Sequence, residues 1–230
     1  MPSSQDLSIH RIGFLGGTFD PIHQGHVSLA LEAANVFSLQ RVLLCPAFQA
    51  PLRNDQPFFS GEDRLSMVES VAANYSVLQT YDHEIRKQKT CYTFETLQSV
   101  QREYPQSQVF LLIGDDQFIQ FDKWKFNQKI LEHFDLLIFN RNQNNSPSED
   151  HCNFPKDKIH FLQNDYFSHS STEVRNLIKK GLKIKYLLHP SVYNYMKQKQ
   201  LIPSKAQLLA FYPILNLNFV KTYTLPVKLC

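Results

Sequence analysis

The amino-acid sequence predicts an α/β fold with a doubly wound parallel sheet. Short apolar runs alternate with amphipathic segments along most of its 230 residues, a pattern typical of strands separated by helices. The first strand, helix and second strand fit within about 35 residues, which is enough for one right-handed βαβ unit. Because 43% of the residues are apolar, the chain can also bury the core that such a sheet requires.

The first half of the chain predicts the initial βαβ unit, a second helix and a third strand. In chain order these elements are predicted at His10–Leu15, Val27–Phe37, Arg41–Cys45, Glu62–Ala73 and Ser76–Gln79. Ser60 precedes the second helix and can cap it, because its hydroxyl can accept a free main-chain N–H. Segment 46–59 contains three prolines and predicts a loop, and the charged segment 82–89 predicts an exposed loop.

The second half continues the alternation of helices and strands. Helices are predicted at Thr93–Tyr104, Phe118–His133 (with interruptions), Ser170–Lys180 and Pro190–Lys199, and strands at Gln108–Ile113, Asp135–Phe139 and Lys158–Leu162. Gln108–Ile113 is the clearest strand, because a continuous apolar run is typical of parallel strands buried on both faces. Segment 142–153 predicts a flexible loop, and Gly181 predicts the end of a helix.

Residues 205–230 do not continue this order and form an apolar C-terminal tail. Prolines and asparagines interrupt the tail too often for a membrane helix. We therefore predict one domain over residues 1–204. The tail could be a packed arm, an oligomer contact or an appendage. If it is an oligomer contact, the protein is a homo-oligomer.

The composition indicates which binding partners and which cellular compartment to expect. The net charge is only +3, from 24 basic and 21 acidic residues, which does not favour nucleic-acid or membrane binding through charge. The four cysteines lack Cys-x-x-Cys spacing, so neither a zinc site nor a disulfide framework is expected. The N-terminus has no apolar signal core, and no apolar run reaches the roughly 18 residues that span a bilayer. We expect a cytoplasmic protein.

A glycine- and histidine-rich stretch from Gly16 to His26 is the first candidate site. It lies between the first strand and the first helix, where main-chain N–H groups and a positive helix end face an anion. Gly16 and Gly17 allow a phosphate to approach the backbone, and Thr18 adds a hydroxyl. His23 and His26 are three residues apart, so their imidazoles share one face of the first helical turn.

A second candidate site opens a later helix with the sequence Ser170-Ser171-Thr172-Glu173-Val174-Arg175. Hydroxyls and main-chain N–H groups at a helix N-terminus often serve only as caps. Here Arg175 lies one turn inside the helix, and the combined groups suit a phosphate chain.

These two motifs together resemble the signature of the nucleotidyltransferase superfamily that carries a His-x-Gly-His motif. The doubled glycine and Ile22 resemble the bacterial nicotinate-nucleotide adenylyltransferases in particular. Cys91-Tyr92-Thr93-Phe94-Glu95-Thr96-Leu97 is similar to their Ser-Tyr-Thr-x-x-Thr-Leu motif, with Cys91 in place of serine. Gly114-Asp115 with the downstream Trp124 resembles their Gly-x-Asp segment, whose aromatic residue stacks on a pyridine ring.

The resemblance implies a Rossmann-like nucleotidyltransferase that transfers AMP from ATP to nicotinate mononucleotide, forming deamido-NAD and pyrophosphate. It implies catalytic roles for His23, His26 and Arg175. It implies ATP contacts for Gly16, Gly17, Thr18, Phe19, His23, His26, Gly114, Asp115, Ser171, Thr172 and Arg175, and mononucleotide contacts for Arg53, Tyr92, Thr93, Trp124 and Arg141. Mg²⁺ is expected through the ATP phosphates, without side-chain metal ligands.

Three alternatives remain open at this point. Leu52 stands where the family has histidine, so both Arg53 and Arg141 are candidates for holding the phosphate of the mononucleotide. The acceptor could instead be nicotinamide mononucleotide or phosphopantetheine. A non-catalytic nucleotide-binding regulator is a further alternative, although the intact His23, His26 and Arg175 argue against it.

Overall fold

The computed structural model describes residues 10–51, 55–140, 154, 156–163 and 170–203, which contain one six-stranded parallel sheet. The strands are β1 (His10–Gly17), β2 (Arg41–Pro46), β3 (Leu78–Thr80), β4 (Ser107–Gly114), β5 (Asp135–Phe139) and β6 (Ile159–Leu162). They lie in the order β3-β2-β1-β4-β5-β6, and every neighbouring pair is parallel. The order reverses direction between β1 and β4, and ligands bind beyond the carboxyl ends of strands at such a point.

Eight α-helices connect or flank the strands of the described residues. They are α1 (Gln24–Val36), α2 (Gly61–Ala72), α3 (His83–Lys87), α4 (Thr93–Glu103), α5 (Asp115–Phe118), α6 (Asn127–His133), α7 (Ser171–Lys179) and α8 (Pro190–Gln198). Gly181 follows α7 with a φ of 66°, a conformation that glycine adopts without steric cost and that commonly ends a helix.

The helices cover both faces of the sheet and bury two apolar layers. Successive strand residues point to opposite faces, so Leu136 and Ile138 belong to one layer while Leu137 and Phe139 belong to the other. Helices α4, α5 and α6 contribute to the layer that contains Leu136 and Ile138, and α1, α2, α7 and α8 contribute to the layer that contains Leu137 and Phe139. This two-sided burial explains why the strands read as continuous apolar runs.

All six predicted strands are present, which confirms the doubly wound parallel sheet. The predicted helix Phe118–His133 is replaced by α5, a 3₁₀ turn at Phe121–Lys123 and α6, in agreement with the expected interruptions. Helix α1 begins at Gln24, three residues earlier than predicted, because His23 takes the N-cap position. Ser60 caps α2 as predicted, since its Oγ accepts the main-chain N–H of Asp63 at 3.0 Å.

The prediction of an exposed loop over residues 82–89 is wrong. Residues 83–87 form α3, in which Glu84 is 7% and Ile85 is 3% exposed. Apolar packing is the physical reason: Ile85 lies against the start of α2, so close that a Cβ on Gly61 would be 3.3 Å from its Cδ1. Arg86 and Lys87, which gave the segment its charged appearance, remain exposed.

Three of the sequence predictions fall outside the described residues. The first is the substrate contact of Arg53. The second is the substrate contact of Arg141, with the loop 142–153 that follows it. The third is the tail 205–230, with the domain boundary before it. Among the described residues, no helix has the length and apolar character needed to cross a membrane.

Candidate active site

A cavity of about 640 Å³ opens at the carboxyl ends of β1 and β4, where the strand order reverses. Most of the predicted site residues line this one cavity, namely Gly16, Gly17, Thr18, Phe19, His23, His26, Tyr92, Thr93, Gly114, Trp124, Ser171, Thr172 and Arg175. Asp115 is fully buried and is not among the lining residues, and its Oδ1 accepts the main-chain N–H of Asp116 at 2.8 Å. Its contact with ATP stays a prediction.

Two adjacent imidazoles, whose planes are tilted by 34°, form the first wall of the cavity. His23 is the N-cap of α1 and is 2% exposed, and its ring centroid is 3.8 Å from that of His26. The main-chain N–H of His23 donates to Nδ1 of His26 at 3.3 Å, which assigns the proton of a neutral His26 ring to Nε2. Phe19 contacts the His26 ring edge-on at 5.0 Å. The protein therefore holds His26 in one orientation and one tautomer.

Gly16 and Gly17, at the end of β1, line the cavity. A Cβ on Gly17 would lie 3.2 Å from the ring of Phe19, so a side chain here would compete with the ring that supports His26. The carbonyl of Gly17 accepts the N–H of Ala47, which keeps the end of β1 against the loop after β2.

The N-terminus of α7 forms the opposite wall and is bonded directly to the first motif. The Ser171 hydroxyl donates to the carbonyl of Pro21 at 2.9 Å, although the two residues are 150 positions apart in the chain. Nη1 of Arg175 donates to the carbonyl of Asp20 at 2.7 Å, and its Nη2 donates to Oγ1 of Thr172 at 3.0 Å. The two motifs that the sequence singled out are thus two walls of the same cavity.

Asp20 lines the cavity but was not among the predicted site residues. Its carboxylate accepts the main-chain N–H groups of Phe58 and Phe59, at 2.8 and 2.9 Å, and lies 3.5 Å from Nη1 of Arg175. Asp20 therefore ties together the first motif, the segment before α2 and the helix α7. Its place inside the Gly-Thr-Phe-Asp-Pro stretch was the available sequence signal.

Arg64 is a second residue that sequence reasoning missed. It is 1% exposed, and its Nη1 donates to the carbonyls of Thr18 and Ala47 at 2.7 and 2.6 Å. Nη2 donates to the carbonyl of Phe48 and Nε to that of Phe59, at 3.1 and 3.3 Å. One guanidinium thus fixes the loops after β1 and β2 relative to α2. Burial lowers the pKa of Arg64, although an arginine remains charged at neutral pH.

Aromatic side chains build another part of the cavity wall. Tyr92 is the N-cap of α4, and Thr93 is the first residue of that helix. Trp124 is half-buried and follows a 3₁₀ turn in an extended conformation, with its ring centroid 5.4 Å from that of Phe121. Lys125 also lines the cavity, and its Nζ lies 4.1 Å from the centroid of the Tyr92 ring.

Glu84 places a buried carboxyl group at the cavity wall. Its Oε1 accepts the hydroxyl of Thr96 at 2.8 Å. Burial raises the pKa of Glu84 from its ordinary value to about 7, an effect that the hydrogen bond from Thr96 only partly offsets. The carboxyl group is therefore partly protonated near neutral pH.

The polar groups around the cavity are mainly donors of hydrogen bonds. Imidazole, hydroxyl, guanidinium and main-chain N–H groups suit phosphate oxygens, whereas Mg²⁺ prefers oxygen ligands. Within the described parts of the chain, no group of three or more His, Cys, Asp or Glu side chains could hold a metal ion.

Comparisons with known proteins agree with this arrangement. The family model described as cytidylyltransferase-like matches residues 14–177, which include both of the motifs that form the cavity walls. A protein of Pseudomonas syringae pv. tomato named "Probable nicotinate-nucleotide adenylyltransferase" is 35% identical over 202 residues, covering 81% of this chain and 90% of that protein. One of Dictyoglomus turgidum with the same name is 32% identical over 188 residues, covering 81% and 92%.

The fold is also similar to solved structures. The nicotinic acid mononucleotide adenylyltransferase of Plasmodium falciparum, solved with NaAD, superposes with a TM-score of 0.69 at 20% identity, covering 84% of this chain and 97% of that one. Its structure with APC gives the same TM-score at 19% identity. These structural similarities show the fold, whereas the sequence relatives described above show the family. The chain therefore belongs to the cytidylyltransferase-like family and, within it, to the nicotinate-nucleotide adenylyltransferases.

Proposed function

We propose that this protein transfers AMP from ATP to nicotinate mononucleotide, forming deamido-NAD and pyrophosphate. The observation that carries the proposal is the contact of the two phosphate motifs across one cavity, through the bonds from Ser171 to Pro21 and from Arg175 to Asp20. The names of the relatives at 35% and 32% identity support the same reaction.

The chemical step is an in-line displacement at the α-phosphorus of ATP. An oxygen of the mononucleotide's 5′-phosphate forms the new bond to that phosphorus, and the bond to the oxygen bridging the α- and β-phosphates breaks. The electron pair of the broken bond leaves with pyrophosphate. Because the attacking phosphate is already ionised near neutral pH, the step needs no general base. Catalysis then consists of positioning and of stabilising the charge that develops.

The first motif is suited to the α-phosphate and the bond that breaks. We assign to His23 and His26 the donation of hydrogen bonds to the α-phosphate and the departing oxygen. Main-chain N–H groups of Gly16 and Gly17, with the hydroxyl of Thr18, would surround the phosphates. Phe19 would act by supporting His26, whose ring it contacts edge-on.

The opposite wall is suited to the leaving group. Ser171, Thr172 and Arg175 supply two hydroxyls and a guanidinium at the positive end of α7, where the β- and γ-phosphates would lie. Gly114 lines the cavity at the end of β4 and, with Asp115, is assigned to a ribose of the nucleotide.

The aromatic wall is suited to the second substrate. The flat ring of Trp124 can stack on an electron-poor pyridinium, and Tyr92 and Thr93 lie at the start of α4 beside it in the cavity. Arg53 and Arg141 both remain assigned to the phosphate of the mononucleotide. Mg²⁺ would enter with ATP as part of the substrate and neutralise phosphate charge.

A pyrophosphate-release assay tests the proposal. The protein is incubated with ATP, Mg²⁺ and one acceptor at a time, chosen from nicotinate mononucleotide, nicotinamide mononucleotide and phosphopantetheine. We expect the highest kcat/KM with nicotinate mononucleotide. Turnover of none of the three would contradict an enzymatic function, and a clear preference for either of the other acceptors would contradict the substrate assignment.

A further inference from the structure

We propose that Lys125 is a specificity-determining residue that favours a mononucleotide whose ring carries a carboxylate over one whose ring carries an amide. The inference rests on the proposed function, because it concerns the second substrate of the same cavity. It adds a charged side chain to a wall for which the sequence motifs supplied only Tyr92, Thr93 and Trp124.

The ammonium group of Lys125 is placed by two aromatic rings. Its Nζ lies 4.1 Å from the ring centroid of Tyr92 and 5.0 Å from that of Phe126. Both distances are within the range of a cation–π interaction. Lys125 directly follows Trp124 in the chain, and both residues line the cavity. The positive charge therefore lies at the same part of the wall as Trp124 and the start of α4.

This charge is not neutralised by a side chain of the described region. Among the described residues, Lys125 makes no salt bridge with a carboxylate, and its side chain is exposed. Two acidic side chains that bond to residues at α4 accept from groups other than Lys125. Glu95 Oε2 accepts the main-chain N–H of Tyr92 at 3.3 Å, and Glu84 accepts the hydroxyl of Thr96.

Lysine can distinguish the two ring substituents by charge but not by hydrogen bonding. An ammonium group has only donors, and both a carboxylate and an amide oxygen can accept from it. Only the carboxylate adds an attraction between opposite charges. Because Lys125 is exposed, water and salt screen this attraction, and we expect a preference of about five-fold rather than several hundred-fold.

Lys123 and Lys129 provide the comparison within the same segment. Lys123 also lines the cavity, but within the described residues the contacts that hold an ammonium on the Tyr92 ring come from Lys125. Nζ of Lys129 lies 5.9 Å from the ring of Phe94 and 5.6 Å from that of Phe126, so it belongs to the same aromatic cluster, yet Lys129 does not line the cavity. Lys129 is therefore a matched control for loss of one positive charge.

The test measures kcat/KM for nicotinate and nicotinamide mononucleotides at saturating MgATP. Lys125→Met should lower the acid-to-amide ratio about five-fold, mainly by raising KM for the acid, whereas Lys125→Arg and Lys129→Met should leave the ratio close to that of the wild type. Added NaCl should lower the wild-type ratio and have less effect on that of Lys125→Met.

Several outcomes would overturn the inference. Lys125 does not select the ring substituent if Lys125→Met forms deamido-NAD with an unchanged acid-to-amide ratio of kcat/KM. The same conclusion follows if kcat/KM falls equally for both mononucleotides. An equal fall in the ratio for Lys129→Met would show that any positive charge in this region suffices. A wild-type protein that adenylylates neither mononucleotide would overturn the proposed function, and the inference with it.

Discussion

His26 is held on several sides before any nucleotide binds. Its Nδ1 accepts the main-chain N–H of His23, the tilted His23 ring packs beside it, and Phe19 contacts it edge-on. A donor that is already oriented costs little reorganisation when charge develops on a phosphate, and such donors are worth about 100-fold or more in rate. The tautomer fixed by the protein leaves Nε2 as the donor.

We predict that His26→Ala lowers kcat for pyrophosphate release by about 100-fold or more. The variant should remain folded, which a thermal unfolding curve can check. His133→Ala is the control, since His133 is an exposed histidine that does not line the cavity. An unchanged kcat for His26→Ala would remove His26 from the mechanism.

Glu84 makes the free energy of unfolding depend on pH. Its pKa is raised from 4.5 to about 7 by burial, so the folded protein binds this proton more tightly than the unfolded chain does. Stability from the protonated carboxyl is fully present below pH 4.5 and is lost as the pH rises to about 7. At about 1.4 kcal/mol per pKa unit, the loss amounts to about 3 kcal/mol at most.

We predict that Glu84→Gln removes this loss. The glutamine oxygen can still accept the hydroxyl of Thr96 but carries no charge at any pH. Urea unfolding at pH 5 and pH 8 should show the variant gaining stability relative to the wild type as the pH rises. Glu69→Gln, at an exposed position on α2, should show no such trend. A constant difference between the variant and the wild type at both pH values would contradict the account.

At the scale of elements, the cavity depends on how α2 and α7 hold the loops after β1 and β2. Arg64 reaches from α2 to four carbonyls of these loops, and Arg175 reaches from α7 to the carbonyl of Asp20. Neither contact belongs to a regular helix or strand, so the shape of this part of the cavity rests on side chains that bridge elements.

We predict that Arg64→Met destabilises the protein by about 3 kcal/mol or more, because it leaves several buried carbonyls without a donor. The loops after β1 and β2 should also lose their alignment, which should raise KM for ATP. Arg86→Met is the matched control, since Arg86 is exposed and pairs only with Asp82 among the described residues. Similar unfolding curves for the two variants would show that Arg64 does not hold the loops.

The difference between prediction and structure is clearest at this scale. The strands were predictable because their apolar runs are continuous. Residue type and position singled out the two motifs that line the cavity, and phosphate binding by these motifs stays a prediction. Helix α3 was not predictable, since two buried residues in a charged segment give no helical periodicity. The contacts of Arg64 were not either, because they join residues 46 and 17 positions apart that only the folded sheet brings together.

At the scale of the molecule, the parallel sheet brings four distant parts of the chain to one cavity. The loop after β1, the starts of α4 and α7, and the segment around Trp124 all meet beyond the ends of β1 and β4. The first motif was expected at the carboxyl end of a strand, where ligands bind in a parallel sheet, and the resemblance of both motifs to one family implied that they share a site.

We predict that Mg²⁺ acts as a partner of ATP and not as a resident metal. EDTA should abolish pyrophosphate release and added Mg²⁺ should restore it, because the metal neutralises phosphate charge during transfer. The melting temperature of the nucleotide-free protein should not change with EDTA. A marked fall in that temperature would indicate a structural metal and contradict the prediction.

The central claim is that the cavity transfers AMP to nicotinate mononucleotide. The most direct test uses ATP labelled at the α-phosphate, with Mg²⁺ and nicotinate mononucleotide, followed by chromatographic separation of the products. We predict that the label appears in deamido-NAD and that unlabelled pyrophosphate forms in equal amount. Label that stays in ATP, or that appears as AMP without a dinucleotide, would contradict the claim.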